Sequence, residues 1–155
     1  MARLFVFLHV LSAIVWVGGS IVLTLLSGRV AKSNDPARGA AFSADAEYVG
    51  KRVFAPASGL LLVTGIGAVL TTRGAGAFSE AWLVLGVVGW IAVAGIGGGL
   101  LGPLSGRLKR LLAEGGGANA EALKIRQRIE RLARLELVLF LLLVLDMTVK
   151  PGLGR

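Results

Sequence analysis

The sequence predicts an all-α membrane protein, a four-transmembrane-helix bundle forming one domain over residues 1–155, and three observations lead to that class. Hydrophobic residues make up 55% of the 155 and charged residues only 17%, with a mean hydropathy of +0.77, well outside the range of soluble domains. Four apolar segments, about 4–27, 53–72, 81–105 and 132–149, each approach the ~20 residues that a helix needs to cross a bilayer. The charges between them are distributed unevenly.

That distribution predicts a topology. Arg29, Lys32, Arg38, Lys51 and Arg52 fall in the first connection, and Arg107, Lys109, Arg110, Lys124, Arg126, Arg128 and Arg131 in the third, with Arg134 just beyond, against Arg3, Arg73, Lys150 and Arg155 on the opposite side. The positive-inside rule then makes both long connections cytoplasmic and leaves both termini outside. A net charge of +8 therefore reads as a topology signal, with the lipid bilayer as partner and no nucleic acid. The chain has no cysteine, which excludes disulfides, thiolate metal sites and covalent haem attachment.

In the first span, Arg3 followed by an apolar run imitates a signal peptide, but the run is too long for one and lacks a small-x-small cleavage site, so it reads as a retained helix. On that helix His9, Ser12, Ala13, Trp16, Gly19 and Ser20 share one face, predicted to point into the bundle. Val6, Val10, Ile14, Val17 and Ile21 share the other, predicted to meet lipid. In the first connection Asp35-Pro36 is an N-cap followed by proline at the first helical position, so a helix should start there and run directly into the second span, kinked by Pro56. The polar stretches 28–52 and 106–131 can hold a helix each but are expected to bury no core of their own.

The third span is glycine-rich. Gly95, Gly98, Gly99 and Gly102, with the ladder Ala94, Gly98, Gly102 and Gly106, predict a face for close helix packing, within the chain or across a homo-oligomer. The third connection breaks at residues 115–117 and resumes as a helix from Ala120, where Glu130 can pair with Arg134. That helix continues into the fourth span, whose large aliphatic residues can fill grooves left by glycine or face lipid.

The only histidine, His9, lies inside the first apolar run, where a titratable ring is costly and marks a candidate site. Counting from Arg3 and Lys150 as interface markers, His9 lies about 9 Å and Asp146 about 6 Å inside, at 1.5 Å per residue. Antiparallel neighbours would bring His9, Asp146, Met147 and Lys150 into one outer cluster. Three readings stay open. His9 with Met147 can ligate a b-type haem whose propionates Arg3 and Lys150 hold, serving electron transfer or porphyrin chemistry. His9 and Asp146, with Ser12 as second shell, can instead form a proton or cation relay of a small transporter, or His9 can hold a metal. The chain can also be a structural subunit, with His9 bonded to a backbone carbonyl, Asp146 paired to Lys150 and Trp16 simply packed.

The run from Leu8 to Gly19, residues Thr64 to Gly67, and the closing Asp146-Met147-Thr148-Val149-Lys150-Pro151 together resemble a bacterial family of small predicted integral membrane proteins without assigned function. That family is similar in turn to the copper-resistance D membrane domain and the HemJ-type protoporphyrinogen oxidases, which bind b-type haem. The resemblance implies a bacterial inner-membrane location, His9 as ligand, Trp16, Gly18 and Gly19 as its helix signature, and Lys150 as the late basic residue. A single histidine departs from the haem pattern, since a second ligand must then be Met147 or another protomer's His9.

Overall fold

The computed structural model describes residues 1–33, 35–114 and 120–150. They form four long helices and no strand: α1 (Ala2–Lys32), α2 (Pro36–Thr72), α3 (Ala81–Ala113) and α4 (Ala120–Val149), with a 3₁₀ turn at Ala75–Ser79 between α2 and α3. Three of them, α1, α2 and α3, are long and apolar enough to cross a membrane. The expected fourth span, α4, is not among them. The 30-residue α4 has the length, but Arg134, Glu136 and Asp146 interrupt its apolar half.

The start of α2 follows from its cap. Asp35 has extended backbone and accepts from the amides of Ala37 (2.9 Å) and Arg38 (3.3 Å), satisfying two orphan donors ahead of Pro36. The helix then runs unbroken to Thr72, as expected, and stops where Gly74 takes a φ of 79° that side chains disfavour. Pro56 breaks nothing. The helix widens into a π-helical turn at Gly50–Phe54, and α3 does the same at Gly95–Leu101 just ahead of Pro103. A proline ring crowds the carbonyl four residues back, here Arg52 and Gly99, and both lie within the widened turns. A third widened turn, Ile14–Gly18, interrupts α1 and contains no proline.

Ser12, Trp16 and Ser20 are buried on the predicted inner face of α1, while Val6, Val10, Ile14 and Ile21 are exposed; Val17, half-buried, joins the core instead. Trp16, Val93 and Phe140 form the central core, the two aromatic rings meeting edge to face at 5.0 Å. A second core lies where none was expected. Leu108 and Leu112 of α3 pack on Ala122 and Ile125 of α4, with Ala40 of α2 against them. Each polar stretch alone is too short for a core, but three helices that overrun the apolar zone supply one jointly.

The close-packing glycines also differ from those expected. A Cβ at Gly95, Gly98 or Gly99 would meet open space, and at Gly102 only its own helix's Gly97 carbonyl at 3.7 Å. The groove faces α4 through Gly86, Gly89 and Gly97, which receive Met147, Leu143 and Glu136. Both patterns are glycines at helical spacing, and only the partner's position distinguishes them.

Candidate functional site

Between the four helices lies a cavity of about 930 Å³. One end is walled by Trp16, Trp90 and Ser58, and the other reaches Leu112 and Arg126. The three widened turns converge on it, through Trp16 of α1, Gly50 and Phe54 of α2, and Gly97 and Leu101 of α3. Such turns arise where backbone regularity gives way to a local requirement, and they concentrate at functional sites.

Glu136 stands on this wall. Only 6% of it is exposed, and it makes no hydrogen bond or ion pair among the described residues. Its Oε1 would lie 2.8 Å from a Cβ at Gly97, so the carboxylate passes over bare glycine backbone that any side chain would block. Sequence reasoning missed it although Glu136 falls inside the expected fourth span, because it lies near the start of that span, just after the charged run through Arg131 and Arg134. The signal available was its spacing to Phe140, Leu143 and Met147, which places it on the packed face of α4.

The aromatic walls are fixed. Trp90 Nε1 donates to the Ser58 carbonyl at 3.2 Å, and Trp16 is held against Phe140. Toward the far end Glu47 accepts from Lys51 (2.7 Å) and Lys109 (3.4 Å), and these two ammonium groups hold its carboxyl below the usual carboxylate range.

The residues expected to cluster are divided between two seams. His9 sits between α1 and α2, its Nδ1 donating to the Leu61 carbonyl at 2.8 Å and its ring against Gly65. Asp146 and Met147 lie between α3 and α4, where Met147 fills the notch at Gly86. No hydrogen bond or ion pair joins His9 to Asp146, and the Ser12 hydroxyl turns back to the Leu8 carbonyl at 2.8 Å. Arg3 is exposed. Lys150 forms no ion pair with Asp146; its ammonium lies 5.4 Å from the Trp82 ring centroid, with the Arg73 guanidinium at 5.8 Å and Glu80 bonded to both Arg73 and the indole N–H. Both Asp146 oxygens are buried without a hydrogen bond. No group of three histidine or carboxylate side chains able to hold a metal occurs among the described residues.

Residues 3–151 match the model of a family described as a predicted integral membrane protein, DUF2269. The chain belongs to that family. The match covers nearly all of the sequence, including every helix above, so the apolar outer faces of this DUF2269 protein are those of an integral membrane protein in a lipid bilayer. Neither the curated proteins nor the solved structures contain a match to it. The family's description assigns DUF2269 proteins no activity, and the cavity is the remaining guide to what this one does.

Proposed function

We propose that the protein is a carrier-type membrane component that takes a small ligand into the cavity and holds it at Glu136. The observation that carries this reading is the isolated carboxylate: a buried ionisable group with no partner among the described residues is costly at membrane depth and faces a path or a binding site. The reading includes four spans as one domain, with both termini outside and both basic connections on the inner side of a bacterial cytoplasmic membrane. Support for α4 as a span comes from its outer face, where Val138, Leu141, Leu142 and Leu145 are all at least half exposed, as lipid-facing residues are.

The absence of cysteine makes the test clean. A Ser43→Cys variant places one thiol on the cavity wall, and N-ethylmaleimide should label it in native membranes. A thiol that reacts only after denaturation would sink the proposal. An impermeant maleimide should label Ala2→Cys on intact cells and Ala113→Cys only after permeabilisation; the reverse pattern would overturn the topology.

A second reading has its own observation. His9 Nδ1 donates to the carbonyl of Leu61, which leaves Nε2 as the ring nitrogen placed to ligate, as in metal-ligating histidines whose other nitrogen donates to backbone. One axial position of a haem b fits His9 on that basis, whereas Met147, packed into the notch at Gly86 on the other seam, does not supply the second. If haem is the ligand, protein purified after growth with ample haem shows a Soret band that His9→Ala removes. A colourless preparation rules this reading out.

A further inference from the structure

We propose that the Glu136 cavity binds a monovalent organic cation with an apolar body, its charge on Glu136 and its body against Trp16 and Trp90. The inference rests on the carrier reading and adds the class of ligand. Three features support it.

The first is charge. The cavity's charged residues are Glu47, Lys51, Lys109, Arg110, Arg126 and Glu136, and Glu47 already engages the two lysines. Arg126 is ten residues before Glu136 on the same helix, about 15 Å along its axis. Arg110 is thirteen residues beyond Gly97, the residue Glu136 faces, about 20 Å along α3. Glu136 therefore has no cationic side chain beside it among the described residues, and a cation entering the cavity would meet its carboxyl group in a low-dielectric wall, where opposite charges gain far more than they would in water.

The second feature is hydrogen-bonding polarity. The Thr24 hydroxyl, also on the wall, donates to the Ser20 carbonyl at 2.8 Å, and the Trp90 N–H donates to Ser58. With those protons committed, Thr24 offers oxygen lone pairs and Trp90 its π-face, both of which accept. Indole faces attract organic cations, the more so once desolvated.

The third is size. At about 930 Å³ the cavity lies within the ~300–1,000 Å³ range of organic-ligand sites, and one carboxylate is too few ligands for a bare metal ion.

Tetraphenylphosphonium and tetraphenylborate are nearly isosteric ions of opposite charge, and their equilibrium binding to the purified full chain in lipid nanodiscs tests the proposal. The wild type should bind the phosphonium in preference to the borate. Glu136→Gln should weaken phosphonium binding by about tenfold or more while improving borate binding, which also shows that the variant is folded; Glu136→Asp should retain part of the affinity. Trp90→Phe should weaken the phosphonium several-fold. Equal binding of the two ions, preference for the borate, or indifference to Glu136→Gln overturns the proposal. The Ser43→Cys thiol separates the two readings. If borate alone protects it from maleimide, the cavity is a ligand site of the wrong charge class; if the thiol never reacts, the carrier reading falls as well.

Discussion

Asp146 has both oxygens buried and unbonded although Lys150 is one turn away, the spacing of a favourable helix-end pair. The reason is local: Lys150 ends the helix with a φ of 50°, and its ammonium goes to the Trp82 ring instead. An unpartnered buried carboxylate contributes a penalty, so Asp146→Asn should leave the thermal midpoint in detergent unchanged or raise it, by on the order of 1 kcal/mol. A clear fall would point to a partner for the carboxylate. His9 makes the opposite case, because its bond to Leu61 depends on the notch at Gly65, where a Cβ would lie 2.9 Å from the ring. Gly65→Val should displace the ring and destabilise by about 1–3 kcal/mol, read as a lower midpoint. Residues whose roles are set by adjacent chain, such as Asp35 capping Ala37, were legible in the sequence. Glu136 was not, because its role is set by Gly97, which is distant in sequence.

The α3–α4 seam shows the same limit at the scale of an element. Glu136, Phe140, Leu143 and Met147 lie along one stripe of α4 and meet Gly97, Val93, Gly89 and Gly86 in turn. The sequence showed that α3 is rich in small residues and that α4 could fill such grooves. Which glycines form the groove depends on the rotation of α3 about its axis, which glycine spacing alone does not set. The four side chains on the stripe predict unequal tolerance. At Gly86 a new methyl meets the flexible end of Met147, whereas at Gly89 it meets the branch of Leu143. Gly86→Ala should therefore cost less than about 1 kcal/mol and Gly89→Val more than about 2, compared by midpoint; equal losses would mean that the seam is loose.

Taken whole, the chain overruns the bilayer. At 33 residues α3 is about 50 Å long against a hydrocarbon core of ~30 Å, and the surplus of α2, α3 and α4 forms the second core around Leu112 and Ile125. Hydropathy made the apolar lengths legible; the joint core was not, because no single polar stretch could bury one. Glu47 ties that region together by bridging Lys51 on its own helix to Lys109 of α3. Its carboxyl titrates below the usual range, so the bridge stabilises the fold near pH 7 and that contribution is lost as the pH falls through the lowered value. Glu47→Gln should thus be less stable than wild type at pH 7 and should lose less on acidification to about pH 3, the two midpoints converging; parallel curves would show that the bridge contributes nothing. The widened turns, finally, bear on chain length. A π-helical turn accommodates an extra residue while the flanking faces keep their directions. Deleting Gly98 should let α3 close to regular helix with Gly97 still facing Glu136 and Lys109 still facing Glu47, whereas deleting Val88 should swing everything beyond it by about 100° and abolish the monodisperse elution of folded protein. The same turns that open the cavity are thus the places where this fold can absorb a gain or loss of one residue.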